Sequence, residues 1–281
     1  MKKILFLLIM LCAGFVAASA QTANNPKAFN NSKAAYNAYE SKEFVSTEGQ
    51  SLKYRVLAPQ EMNAKKKYPL VIFMHGAGER GDDNEAQLTH GGQMFLNPVM
   101  QEKYPAYVIF PQCPSKGFWA RPSFPNSPKK GPKGPGGDNE MSPILKAVKE
   151  LLDEYIALPN VDPTRVYIMG LSMGGMATFD MVCRFPEMFA AAVPICGAVG
   201  PGRLAAAKDV KFRIFHGDAD PTVPVECSRM AYRELKAAGA DVEYIEYPGC
   251  AHASWTPAFN EPDFLEWVFA QKNRRAARKN K

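Results

Sequence analysis

Val166-Tyr167-Ile168-Met169-Gly170-Leu171-Ser172-Met173-Gly174-Gly175 is the stretch from which the fold of this chain can be argued. Its first four residues are an unbroken apolar run, the pattern of a strand buried on both faces. Glycines then bracket a serine, and Met173 to Phe185 reads as a helix. The pentapeptide Gly-x-Ser-x-Gly arises by accident in roughly one chain in ten of this length. Its context is what counts, because a serine held on a sharp turn above a sheet edge needs neighbours without side chains. Only then can the backbone bend and the helix pack closely.

Outward from this unit the same rhythm recurs. Tyr68 to Met74 is a second continuous apolar run and ends at His75-Gly76; Tyr107 to Phe110 is a third. Between Met141 and Tyr155, Ile144, Leu145, Val148, Leu151, Leu152 and Tyr155 recur at helical spacing, with Ser142-Pro143 as N-cap and first position. Downstream, Ala190 to Ile195, Phe212 to Phe215 and Val242 to Tyr247 read as strands. Cys227 to Ala238, ended by Gly239, and Pro262 to Gln271 read as helices. Upstream, Phe44 to Ser46 and Leu52 to Leu57 flank Glu48-Gly49-Gln50 as a hairpin. Strands alternating with helices predict an α/β fold, a mostly parallel central sheet flanked by helices in a single domain over residues 44–270. One stretch departs from the pattern: Lys116 to Asp138 is rich in Pro, Gly and Lys and reads as a long loop.

The ends read differently from the body. Met1-Lys2-Lys3, an apolar run from Ile4 to Ala18 and the small-x-small site Ala18-Ser19-Ala20 form a signal peptide over residues 1–20, cleaved after Ala20. The alternative is a lipid anchor on Cys12, but Leu11 stands where a lipoprotein signal wants a small residue. The apolar run is also short for a bilayer span, which takes about 20 residues, and no later segment approaches that length. The expectation is therefore an exported protein, periplasmic or secreted, with no stable membrane insertion. Residues 21–43 read as a polar lead-in. The tail, 271–281, holds six basic residues and no acidic one, enough to account for the chain's formal charge of +6. A short basic end is a solvated, frayed terminus rather than a nucleic-acid surface.

After signal removal the cysteines are Cys113, Cys183, Cys196, Cys227 and Cys250. Export permits disulfides, but an odd number leaves at least one thiol or an intermolecular bond. Buried free thiols are the more ordinary reading; if one pair forms, Cys196 and Cys250, both in segments placed beside the active site, are the candidates. No CxxC or His-rich spacing suggests zinc, so neither metal nor cofactor is expected.

A serine hydroxyl is a poor nucleophile until a base takes its proton, and an acid must orient that base. In this sheet order the acid and then the histidine follow the serine. His216 and His252 are the two histidines after Ser172. His216 closes a buried strand, where a structural role is expected; His252 follows the last strand in a loop and is the expected base. For the acid, Asp218 and Asp220 share one loop. Asp220 is preferred, with Asp218 as a turn-former bonding its own backbone. The oxyanion of a tetrahedral intermediate needs backbone donors. The N–H of Met173 and, in the glycine-rich His75-Gly76-Ala77-Gly78, that of Ala77 are the candidates.

Phe73-Met74-His75-Gly76-Ala77-Gly78-Glu79-Arg80-Gly81, Gly170-Leu171-Ser172-Met173-Gly174-Gly175, His216-Gly217-x-x-Asp220 with Val223-Pro224, and His252-Ala253-Ser254-Trp255 together resemble the α/β-hydrolase fold. More narrowly they resemble exported esterases and predicted peptidases grouped with phospholipase/carboxylesterases, feruloyl esterases and prolyl-oligopeptidase-like hydrolases. The likeness spans roughly residues 44 to 270. It implies Ser172, Asp220 and His252 as a triad with Ala77 and Met173 as oxyanion donors. It also implies a serine esterase whose substrate is a small-molecule or polysaccharide-linked ester, such as a feruloyl or acetyl ester. The alternatives are a serine peptidase with the same triad and a non-catalytic binding protein on the same fold. Trp119 and Trp255 are candidate substrate contacts; for Trp119 a loop anchor is the competing reading, for Trp255 core packing. Glu79-Arg80 and Asp82-Asp83-Asn84-Glu85 could meet a polar substrate or a cation, but read first as a solvated loop held by a local ion pair.

Overall fold

The computed structural model describes residues 33–123, 137 and 139–273. The signal peptide, the lead-in before residue 33, most of the Lys116 to Asp138 loop and the tail beyond residue 273 lie outside the described residues. The first strands are β1 (Glu40–Val45), β2 (Ser51–Leu57), β3 (Tyr68–Met74) and β4 (Tyr107–Pro111). They are followed by β5 (Val161–Leu171), β6 (Ala191–Ile195), β7 (Lys211–Gly217) and β8 (Val242–Tyr247). The helices are α1 (Pro98–Lys103), α2 (Pro143–Ala157), α3 (Met173–Arg184), α4 (Glu226–Ala237), α5 (Trp255–Phe259) and α6 (Phe264–Ala270).

The eight strands form one sheet in the order β1-β2-β4-β3-β5-β6-β7-β8. β1, β2 and β4 pair antiparallel, and from β4 through β8 every pairing is parallel. This is the mostly parallel α/β sheet expected from the sequence. Strand β3 shows why its run is uniformly apolar: Leu70, Ile72 and Met74 enter the core on one face of the sheet, Val71 and Phe73 the core on the other. Alternation is present in the geometry but invisible in composition, because helices cover both faces. Each such fully buried side chain stabilises the fold by about 1.5–3 kcal/mol.

Helix α2 begins as its cap residues dictate: Ser142 Oγ accepts from the Leu145 N–H at 3.2 Å and Pro143 takes the first position. Helix α4 is stopped by Gly239, whose φ of +78° ordinary residues rarely adopt. Between β3 and β4 the chain makes short 3-10 turns, Ala77–Glu79, Ala86–Leu88 and Gly92–Leu96, before α1. No element was expected there, because turns of three to five residues are too short to show a periodicity. Among the described residues no helix is long and apolar enough to cross a membrane.

The junction of β5 and α3 is the tightest point of the packing. A Cβ on Gly174 would sit 1.9 Å from the carbonyl oxygen of Met74 and 2.7 Å from that of His75. The start of α3 therefore lies directly against the end of β3, and no side chain fits between them. Gly174→Ala is expected to lower the unfolding free energy by about 3 kcal/mol or more. Urea unfolding followed by circular dichroism checks this; a midpoint unchanged from wild type would contradict the packing described.

Candidate active site

Ser172 is the residue on which β5 turns into α3, with φ 54° and ψ −118°, a conformation that costs a non-glycine residue roughly 1–3 kcal/mol. Its N–H is satisfied by the Ile195 carbonyl of the neighbouring β6 at 2.9 Å. The turn lifts Oγ out of the sheet toward the loops that follow β7 and β8. There His252 Nε2 stands 2.9 Å from Ser172 Oγ, and His252 Nδ1 stands 2.7 Å from Asp220 Oδ2. With Nδ1 donating to the carboxylate, Nε2 carries the lone pair and accepts from the serine hydroxyl. Residues 80 positions apart are thus joined in one chain of hydrogen bonds.

Asp220 has its side chain wholly shielded from solvent. Burial pushes its carboxyl upward, but hydrogen bonds from His252 and from the Val223 and Thr222 N–H groups outweigh burial and hold it below the usual carboxylate range. Oδ1 takes the Thr222 and Val223 N–H groups at 2.8 and 3.0 Å, leaving Oδ2 to the histidine. Asp218 does something other than bond its own backbone. Its Oδ1 accepts from the Gly249 N–H at 2.6 Å and so fastens the loop that carries His252 to the loop that carries Asp220. The turn-type bonding expected of Asp218 is instead made by Asp220. His216 is fully buried, bonded to Ser228 Oγ at 2.7 Å and to the Val223 carbonyl at 2.9 Å, with Nε2 also 3.2 Å from Asp220 Oδ2. It braces the acid from behind.

The family model of the dienelactone hydrolase family matches residues 133–279, the half of the chain that carries Ser172, Asp220 and His252. The chain belongs to the dienelactone hydrolase family, within the α/β-hydrolase superfamily. It is 30% identical over 198 residues to a probable carboxylesterase SOBER1-like of Arabidopsis thaliana, covering 65% of this chain and 72% of that one. It is 28% identical over 147 residues to feruloyl esterase B of Neurospora crassa, covering 52% and 44% respectively. A solved thermostable esterase superposes with a TM-score of 0.72 at 36% identity; 85% of this chain is covered, and the chain spans 64% of that esterase's length.

The loop after β3 lies beside the serine turn, and its hydrogen bonds set the direction of the Ala77 N–H. His75 Nε2 accepts from the Cys113 N–H at 2.9 Å, so its proton lies on Nδ1, which donates to the Gly76 carbonyl at 2.6 Å. In a trans peptide the carbonyl and the next N–H point opposite ways. Holding the Gly76 oxygen on the histidine side therefore turns the Ala77 N–H to the other side. Met173 opens α3, so its N–H is one of those that helix geometry leaves without an intrahelical partner.

Trp119 is not a substrate contact. It is fully buried, its Nε1 donates to the His75 carbonyl at 3.2 Å, and its ring packs edge-on against the His75 ring. It anchors the loop from beneath, where its large apolar surface is removed from water. Trp255 stands at the site: its ring lies 5.6 Å from that of His252 and 5.2 Å from that of His90. Beyond it opens a groove of about 1060 Å³ whose lining includes Trp255, His90, Met94, Tyr104, Phe259 and Phe264. Neither His90 nor this groove carries a sequence signal, since His90 sits among short turns with no motif around it.

The Cys196–Cys250 bond is absent; all five described cysteines are free thiols. Cys196 is buried, and burial pushes its thiol up to about 12. Cys196, Asp220 and His252 are the one group of His, Cys and acidic side chains among the described residues close enough to share an ion, their ligand atoms lying within 4.8 Å. The acid and the histidine are already bonded to each other and the thiol is protonated, so the donor set suits proton transfer better than metal binding. Nor does the Glu79–Arg80 ion pair form. Arg80 is turned away, donating to the Ala77 and Gly117 carbonyls at 2.9 and 3.2 Å. Asp83 Oδ1 bonds the Glu85 and Ala86 N–H groups, and Asn84 is buried, so that acidic run is spent on local structure.

Burial lowers the pKa of His75 from its ordinary 6.5 to about 4. The unfolded chain takes up this proton near 6.5 and the folded chain only near 4, so stability is lost as pH falls through that window. By pH 5 the loss from this one residue is about 2 kcal/mol. Chemical denaturation at pH 7 and pH 5 should show it, and His75→Gln should flatten the difference by that amount. An equal pH dependence in the variant would contradict a neutral, buried His75.

Proposed function

We propose that this chain is an exported serine hydrolase of carboxylic esters. The observation that carries the reading is the continuous chain from Ser172 Oγ through His252 to the ionised Asp220. Ser172 attacks the ester carbonyl while His252 Nε2 takes the hydroxyl proton and Asp220 stabilises the imidazolium. The carbonyl oxygen becomes an oxyanion met by the Ala77 and Met173 N–H groups. Collapse breaks the ester bond, and the alcohol leaves with the proton held on His252. Water, deprotonated by the same nitrogen, then attacks the acyl-enzyme, and the second collapse returns Ser172 and the free acid.

The esterase names of the relatives support an ester over other acyl compounds. The N-terminal signal supports an extracytoplasmic site of action, and hence an ester attached to a small molecule or a polysaccharide. The groove beside Trp255, walled by Met94, Phe259 and Phe264, suits the apolar or aromatic half of such a substrate, a feruloyl group among them.

Acetyl, feruloyl and longer acyl esters, tested beside peptide substrates, should be cleaved with the peptides left intact. Ser172→Ala should lower kcat by about 10³-fold or more, and a fluorophosphonate probe should label the wild type on Ser172 alone. Ester turnover surviving Ser172→Ala, or peptides cleaved in preference, would overturn the reading.

A further inference from the structure

Glu79 lies in the loop that follows β3, and nothing in the mechanism above uses it. Its carboxylate lies against Gly76, which also adjoins the serine: the point a Cβ would occupy on Gly76 is 3.1 Å from Glu79 Oε2 and 3.6 Å from Ser172 Cβ. Oε2 is shielded from solvent and has no hydrogen-bond partner among the described residues. Oε1 faces His90 Nε2 at 3.6 Å, beyond hydrogen-bond length. The adjacent cation, Arg80, is committed elsewhere, its guanidinium 4.7 Å over the Phe118 ring. A carboxylate oxygen removed from water and left unpaired is costly, and a native fold carries few such atoms.

A run of contacts links Glu79 to Ser172 by way of the residues at the groove mouth. From Ser172 the contacts run to His252, from His252 to Trp255, from Trp255 to His90, and from His90 back to Glu79. Glu79 thus faces His90, which lines the groove, on one side and Gly76, which adjoins Ser172, on the other. The groove continues the same electrostatic sign. Asp83, Glu85, Glu261 and Glu266 line it, and Lys103, its sole lysine or arginine among the described residues, is paired with Glu266 at 3.1 Å.

We infer that Glu79 is a specificity-determining residue that accepts a hydrogen bond from a hydroxyl or ammonium group carried close to the scissile ester, and that substrates with a carboxylate there are rejected. The inference rests on the serine-ester reading and names the substrate class within it: esters with a hydrogen-bond donor a few bonds from the carbonyl, on either the acyl or the alcohol half. An oxygen that is unpaired in the free protein and paired only by the right substrate discriminates strongly, because the wrong substrate leaves it buried and unsatisfied.

The test uses two series of esters with the full exported chain. Phenyl esters of propionic, 3-hydroxypropionic, 3-ammoniopropionic and malonic acid vary the acyl half; propyl, 3-hydroxypropyl and 3-ammoniopropyl acetate vary the alcohol. In at least one series a donor-bearing member should exceed the plain ester in kcat/KM by about tenfold, as a charge-assisted hydrogen bond provides, with the malonyl ester the poorest of its set. Glu79→Gln should remove the ammonium preference and the malonyl penalty, mainly through KM. A merely structural Glu79 would instead lower all members alike. Binding of the intact esters to Ser172→Ala repeats the comparison without turnover. Turnover without donor preference in either series overturns the role of Glu79. Donor-selective, Glu79-dependent binding with no turnover in the wild type would support that role and overturn the ester reading.

Discussion

The close contact between the first turn of α3 and the end of β3 is the constraint on which the site depends. Ser172 is held at positive φ because the strand behind it is paired on both sides and the helix ahead of it is pressed against the Met74 and His75 carbonyls. Neither element can relax without breaking a ladder or opening the core, so the strain stays at the serine. The same approach delivers the loop after β3 to Ser172. Gly76 lies beside Ser172, and the Ala77 peptide and the Glu79 carboxylate follow within one 3-10 turn. One packing contact therefore sets Ser172, the Ala77 peptide and Glu79 together.

The chemistry is distributed over the carboxyl ends of parallel strands, with Ser172 after β5, Asp220 after β7, His252 after β8 and the His75–Glu79 loop after β3. Open parallel sheets collect their sites on this edge, since the loops there converge while the strands beneath remain rigid. The loops are fastened to one another before any substrate arrives. Asp218 ties the two loops that hold acid and base, the Ala219 N–H donates to the Cys250 carbonyl at 3.1 Å, and His216 supports Asp220 from the core. Charge is managed with the same economy. Asp220 stays ionised because its donors outnumber what burial removes, and His75 stays neutral because burial prevails. Each group is thus in the protonation state its hydrogen bonds require at neutral pH.

Much of this was legible in the chain because it is local or periodic. The buried strands announce themselves as apolar runs, α2 as a spacing with a Ser-Pro start, and the serine turn as glycines between a strand and a helix. The order of acid and histidine follows from the sheet order, so Asp220 and His252 could be named without coordinates, and the structure brings their side chains to Ser172. What local signals could not say was which face a tryptophan turns. Trp119 and Trp255 look alike in sequence, yet one is sealed under His75 and the other stands open beside His252.

The α/β architecture, the strand-turn-helix around Ser172 and the order of the loops that supply its partners can be read from the chain alone, because strand and helix periods and glycine positions are properties of neighbouring residues. The bracing of the loop after β3 by His75, the turning away of Arg80, and the contacts that link Glu79 to His90 and His90 to Trp255 come from the tertiary fold. Those outcomes hang on contacts between segments far apart in the chain. There the close packing of the interior, not the pattern along the sequence, chooses which side chain is buried, which is paired and which is left facing the substrate.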